Sequence, residues 1–203
     1  AKGVTSLYRT HDQPDPAKLD VFSVFIDKFG YKVDLNRPEQ IAKNINKLLG
    51  DIRLKNEYSL IQSMAIRSMA KAVYETENIG HYGLAFEHYT HFTSPIRRYS
   101  DILVHRALIQ IHKWEENPLV MKNPDLFKIG EHLSRTERRS MLAERDTKDR
   151  YLAYFLKDRI DSEFSARING FSKSCIFVRL DETGANGLIP CLLYTSPSPR
   201  DVE

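Results

Sequence analysis

The sequence predicts an α+β chain, mostly helical up to about residue 160 and then a short run of β-strands. Three observations carry this reading. Apolar residues recur at helical spacing in successive segments before residue 160. Cap candidates and prolines open those segments, and glycines close two of them. From Glu163 onward the apolar period changes from about four to two. With 203 residues and 41% hydrophobic content, the chain is large enough to bury a core. Thirty Lys and Arg face 27 Asp and Glu, for a net charge of +3. So mild a surplus means that an anionic partner must be recognised by local clustering rather than by overall charge.

In the first helical segment Asp15 is a cap and Pro16 a first-turn residue. Leu19, Phe22, Phe25, Ile26 and Phe29 form one apolar stripe ahead of Gly30. The second repeats the grammar, with Asn36 as cap, Pro38 early, Ile41, Ile45, Leu48 and Leu49 on one face, and Gly50 as the stop. A third helix is predicted from Tyr58 to Tyr74. After "ENIGHYG" the helical period lapses, then restarts at Ser94-Pro95 and runs to about Trp114. Pro118 and the "KNP" ending at Pro124 mark a break. Asp125 to Ile160 reads as one long or kinked helix with Arg135, Arg138, Arg139, Glu144 and Arg145 on a polar face.

The strand pattern lies in "EFSARINGFSKSCIFVRLDETGANGLIP", with turns predicted at Asn169-Gly170 and over 182–187. Phe171 and Phe177 are stacking candidates, although the alternation of Phe177 favours a core position. Cys175 and Cys191 lack metal-ligand spacing, and no leader or long apolar run is visible, so a reducing, cytoplasmic setting without a membrane partner is expected. The chain has no initiator Met and opens as if midway through an extended segment, which suggests a fragment. Residues 192–203 end in Ser-Pro repeats unsuited to a strand and are read as a non-native tail.

Most of the polar chemistry sits in "HYGLAFEHYTHFTSPIRRYSDILVHRAL", His81 to Leu108. Ser94 or Thr93 is read as an N-cap and Pro95 as the first helical residue, so the N–H groups that follow are free. Arg97 and Arg98 then fall in the first turn, where the helix dipole disfavours cations unless an anion offsets them. A guanidinium grips two phosphate oxygens at once and cannot lose its charge. Asp101 is placed to pin Arg97 or His105 at i,i+4 spacing. The plainer alternative is that the arginines solvate a helix end. His81, His88, His91 and His105 invite a zinc reading, but no cysteine is near and the local pattern is a loop, so no metal ligand is assigned.

The string "YTHFTSPIRRYSDILVHR", Tyr89 to Arg106, resembles the signature of the ribonuclease II and ribonuclease R family of exoribonucleases. "LYRTHDQPDPAKL", "RSMAKAVYETENIGHYGLAFEHY" and "AERDTKD" resemble the same catalytic domain, nearer to the ribonuclease R branch. The resemblance implies that 1–160 is the mostly helical C-terminal part of that domain and that 161–191 begins an RNA-binding OB-fold barrel, truncated here. It implies processive hydrolysis of single-stranded RNA from the 3′ end to nucleoside 5′-monophosphates, with Mg²⁺, in a deep channel, and no obligate protein partner.

By motif position Arg97 matches the catalytic arginine that holds the phosphate near the cleavage point, and Glu144 an acidic residue near the 3′-terminal nucleotide. Thr93, Ser94 and Arg98 support the phosphate, and Tyr89, His91 and Phe92 shape the channel floor. His105 and Arg106 either line the channel or order the core side of their helix. The family's D-x(5)-D-x-D-D metal cluster has no counterpart in the chain and in family order lies upstream of Ala1, so the fragment alone is expected to be inactive. A non-catalytic single-stranded RNA-binding protein is the competing reading.

Overall fold

In the computed structural model, which describes residues 4–116, 122–172 and 174–190, helix α1 (Pro16–Asp27) starts as its sequence dictates. The Asp15 carboxylate accepts the Ala17 N–H at 3.0 Å, and Leu19, Phe22 and Ile26 are buried. Gly30, just past the helix, has φ +80°, a conformation that favours glycine. Helix α2 (Pro38–Asp51) buries Ile41, Ile45 and Leu48. Its cap is Arg37 rather than Asn36, whose N–H and side-chain amide both turn back to the Asp34 carboxylate, at 3.1 and 3.2 Å. Gly50 does not stop α2, which continues through it to Asp51.

Helix α3 (Tyr58–Ser68) ends six residues short of the expected Tyr74. The missing piece is a strand, since Tyr8–Thr10 (β1) pairs antiparallel with Val73–Glu75 (β2), Arg9 opposite Tyr74. Helix α4 covers Tyr99–His112, and α5 covers Asn123–Leu156 as one helix of 34 residues. Strands β3 (Ala166–Phe171), β4 (Cys175–Leu180) and β5 (Asn186–Pro190) form an open antiparallel sheet in that order. The architecture is thus mixed helix and sheet, and no closed barrel is present among the described residues.

Backbone contacts divide the chain into two units, Ala1–Asp20 with Ser68–Leu142 and Val21–Arg67 with Ala143–Glu203. In the first unit Leu7, Tyr74, Leu103 and Leu126 form a buried cluster, with Ile129 and Leu133 packed against it. Gly130 permits the approach of α5, for a Cβ there would stand 2.6 Å from the Tyr74 carbonyl oxygen. In the second unit Ile41, Ile45, Leu48, Ile52, Leu60 and Ile61 are buried. Its sheet corrects two expectations. Asn169-Gly170 is not a turn but a bulge inside β3, where the register skips from Ile168 to Gly170. Phe177 is not core, because with Arg179 it occupies the outward face of β4 and is 40% exposed. The supposed tail, Cys191 and Pro118 lie outside the described residues.

Candidate nucleic-acid interface

The site is built on the segment between β2 and α4, all within the first unit. Its floor is set by long-range contacts. The Arg9 N–H donates to the Tyr89 carbonyl at 2.9 Å, and the Thr90 hydroxyl donates to the Leu7 carbonyl at 2.7 Å, so β1 carries the start of the motif. His11, from the end of β1, accepts the Gly83 N–H on Nδ1 at 2.9 Å and donates through Nε2 to the Ala70 carbonyl at 3.0 Å. These two bonds require a neutral imidazole. Its ring stacks on His81 at 5.0 Å, and His81 meets Tyr89 edge-on at 5.2 Å. Tyr89 meets His91 edge-on at 5.8 Å, and the Tyr74 hydroxyl bonds His91 Nδ1 at 2.8 Å.

Arg9 lies over the Tyr74 ring at 4.6 Å while both its terminal nitrogens grip Glu137, at 2.8 and 2.7 Å. Burial, then the neighbouring Arg98 and Arg9 charges, hold His91 below the ordinary histidine range. Burial, then His11, does the same for His81. Both shifts favour the neutral imidazole, and the Tyr74 hydroxyl occupies Nδ1 of His91.

The arginine turn differs from its expected form. Helix α4 begins at Tyr99 with Arg98 as its N-cap, and residues 94–97 form a separate tight turn in which the Ser94 carbonyl accepts the Arg97 and Arg98 N–H groups at 3.2 and 3.1 Å. Ser94 therefore caps nothing, and its own N–H donates to Asp101 Oδ2 at 2.7 Å. Asp101 is wholly buried and also receives Arg98 Nε at 3.0 Å, Arg98 Nη2 at 2.9 Å and the Ser100 hydroxyl at 3.1 Å. Burial alone would push its carboxyl up, yet Arg98, the Ser94 N–H and the Ser100 hydroxyl hold it below the usual carboxylate range.

Asp101 thus binds Arg98, not Arg97, and not His105, whose Nε2 faces the Phe92 carbonyl at 2.9 Å. Local reading missed this because a proline turn delays the helix and moves the useful spacing from i,i+4 to i,i+3. The remaining candidates divide clearly. Arg97 is exposed, and its side chain has no hydrogen bond or ion pair among the described residues. Thr93 is also exposed. Phe92 is 46% exposed and rests against His105 with ring centroids at 4.6 Å. Arg106 donates to the Tyr99 hydroxyl at 3.3 Å. Tyr89 and His91 are half-buried beneath the turn. Glu144 is an exposed residue of α5 in the other unit, and the site described here does not include it.

Chemically this is one free guanidinium beside a second whose charge is matched by a buried carboxylate. Arg98 and Asp101 neutralise each other, so Arg97 supplies the net cation of the turn. Two participants were not evident from local sequence, His11 and Arg9, because they act on Gly83 and Tyr89 from far back along the chain, His11 from 72 residues away. Among the described residues no group of three or more His, Cys, Asp or Glu side chains is placed to hold a metal ion. The described residues therefore do not by themselves make up a magnesium centre. No helix among the described residues is long and apolar enough to cross a membrane.

The family model described as the RNB domain matches residues 1–113. Ribonuclease R of Aquifex aeolicus is 40% identical over 188 residues, 92% of this chain and 26% of that protein. Ribonuclease R of Escherichia coli is 32% identical over 194 residues, 91% of this chain and 24% of that protein. The chain thus spans about a quarter of the length of the curated relatives it matches. Among solved structures, Mycoplasma genitalium RNase R in complex with ribose methylated single-stranded RNA superposes with a TM-score of 0.79 at 27% identity, covering 96% of this chain and 31% of that one. Yeast Ssd1, described as a pseudonuclease, superposes with a TM-score of 0.74 at 26% identity, over 93% of this chain and 24% of that one.

Proposed function

Because the chain belongs to the RNB-domain family and is homologous to ribonuclease R, we propose that it supplies the phosphate-gripping part of a hydrolytic 3′-to-5′ exoribonuclease acting on single-stranded RNA. The observation that carries this is the pairing of Arg98 with Asp101, which leaves the adjacent Arg97 exposed and unpaired. In this reading Arg97 stabilises charge on the phosphoryl oxygens in the transition state, while the turn 94–98 aims it. Removing one fixed donor of this kind costs about 3 kcal/mol, roughly 10²-fold in rate. Thr93, Ser94 and Arg98 shape the turn at the phosphate, Arg98 through its own ion pair. Tyr89, His91 and Phe92 floor the path, and His105 and Arg106 hold its helix side. Glu144 serves the terminal nucleotide.

Residues 1–160 are proposed as catalytic-domain sequence and 161–191 as the start of an RNA-binding OB-fold. Processive release of 5′-monophosphates, dependence on Mg²⁺ and a cytoplasmic location belong to the same proposal, with the metal ligands drawn from the family's aspartate cluster and not from residues described here.

The similarity to a protein described as a pseudonuclease supports a second reading, in which the same scaffold binds RNA without cutting it. One experiment separates them. The complete polypeptide containing this chain is given Mg²⁺ and a 3′-tailed RNA, and nucleoside monophosphate release is followed for wild type and Arg97→Ala. Release that falls about 100-fold in the variant supports the exonuclease. Undiminished release would remove Arg97 from the mechanism, and RNA binding without release would establish the second reading.

A further inference from the structure

The second unit holds a polar cleft of about 470 Å³ between α3 and the β3–β4 ribbon. Ser59, Gln62 and Ser63 line it from the helix, and Arg167, Asn169 and Arg179 from the strands. We propose that this cleft is a second phosphate-binding site whose ligand is the phosphate group of a nucleotide. It uses no residue of the Arg97 turn, and where the phosphate belongs to an RNA strand it rests on the RNA-binding reading of 161–191 given above, naming the groups that take the phosphate.

The argument begins with charge. Arg167 and Arg179 stand directly opposite one another across the antiparallel pair. Like charges in that position destabilise a sheet by roughly 0.2–1 kcal/mol unless something compensates them. Asp181, which also lines the cleft, compensates one of them, its carboxylate taken up 2.9 Å from Arg167 Nε. The next carboxylate, Glu182, is already held at 2.9 and 3.2 Å by both terminal nitrogens of Arg159. Arg179 is left with no hydrogen bond or ion pair among the described residues. A third guanidinium, Arg67 of α3, lies beside the strands, its Nη1 3.8 Å from where a Cβ on Gly170 would stand, and it too has no carboxylate partner among the described residues. Within the cleft itself two guanidinium groups, Arg167 and Arg179, therefore share one carboxylate, Asp181.

The uncharged lining fits the same ligand. Two serine hydroxyls and the Asn169 amide offer donors to phosphate oxygens without adding repulsion, as does the one N–H of Gln62 Nε2 not given to the Tyr58 hydroxyl at 3.1 Å. Asn169 is the residue the β-bulge removes from the ladder, and its Nδ2 keeps only a long 3.4 Å contact to Asn186. Gly184, at φ +71°, leaves the space over Arg179 open, because a Cβ there would lie 3.3 Å from Nη2. A forked guanidinium among neutral donors is the arrangement that grips a phosphate through two oxygens at once. The volume lies within the range of roughly 300–1,000 Å³ typical of small-ligand clefts. A nucleotide phosphate reaches such a cleft either within an RNA strand or as a free 5′-monophosphate.

The test uses the 203-residue chain as it stands. Binding of a labelled single-stranded oligoribonucleotide is measured by anisotropy between 50 and 200 mM salt, and binding of adenosine 5′-monophosphate by calorimetry, for wild type, Arg179→Ala, Arg179→Lys and Arg97→Ala. If the strand occupies the cleft, Arg179→Ala weakens RNA binding and lowers the salt slope by about 0.7, the value for one phosphate contact on a single strand. Arg179→Lys should keep the slope and lose part of the affinity. If free nucleotide occupies it, adenosine monophosphate binds wild type and not Arg179→Ala.

Should Arg179→Ala fail to fold by circular dichroism, the Lys variant and Arg179→Gln carry the same comparison. Unchanged RNA affinity, salt slope and nucleotide binding in the folded variants would overturn the proposal. A loss confined to Arg97→Ala would overturn it while leaving the exonuclease reading intact.

Discussion

Replacing Asp101 with alanine tests the construction of the arginine turn directly. The carboxylate is 0% exposed and accepts four hydrogen bonds of 2.7–3.1 Å, two of them from Arg98. Its removal leaves the Ser94 N–H without its acceptor and Arg98 without its counter-charge. Breaking a buried ion pair from one side costs about 3–5 kcal/mol. The Arg98 side chain keeps 21% of its exposure and can relax partly into solvent, which places the expected loss at the lower end, about 3 kcal/mol. Against a total stability of roughly 5–15 kcal/mol this is a large fraction, easily read by urea denaturation. Asp101→Asn keeps the shape and one acceptor oxygen and should lose about half as much. A double-mutant cycle with Arg98→Ala should show coupling of at least about 1 kcal/mol. A loss below about 1 kcal/mol for Asp101→Ala, or additivity in the cycle, would refute the claim that this carboxylate holds the turn.

Gly130→Ala should destabilise the first unit by about 1–3 kcal/mol, because the new methyl meets the Tyr74 carbonyl at 2.6 Å; thermal melts of the two proteins check it, and an unchanged midpoint contradicts that contact. His81 and His91 both titrate below the ordinary histidine range when folded, so the unfolded chain takes up protons first. Stability from these two residues is present above about pH 6.5 and is lost as pH falls below it towards the lowered folded values. Asp101 adds a separate loss below about pH 4, where the unfolded carboxyl protonates before the folded one. Urea midpoints measured between pH 7.5 and 5 should therefore fall with acid, and His91→Phe should flatten that dependence.

What was legible in the sequence was what neighbours in sequence decide. The Asp15 cap, the buried faces of α1 and α2, the long α5 and the change to strands near residue 166 all follow from periods and caps acting over a few residues. The motif was legible through resemblance, which found Arg97 without revealing how the turn presents it. The misses share one physical cause. Val73 to Glu75 leave the predicted helix because β1, more than sixty residues earlier, supplies a pairing partner. The start of α4 moves from Pro95 to Tyr99 because Asp101 takes the Ser94 N–H, an acceptor that local cap rules place at the wrong end. Asn169-Gly170 scores as a turn by composition, but the register with β4 continues past it and turns the extra residue into a bulge.

The β1–β2 ladder bears on how fast the site comes into being. It joins residues 8–10 to 73–75, and three helices lie in the intervening loop. Helices grow from local contacts within microseconds, whereas closing a loop of this length costs roughly 3–4 kcal/mol of chain entropy before any ladder bond repays it. Pairings so distant in sequence are the slow ones in folding. Arg9 and His11 reach the motif only from the closed ladder, so the segment carrying Tyr89 and Thr90 is seated late, after the helices have formed. A newly made chain would pass through a stage in which its helices are in place and its arginine turn is not yet anchored.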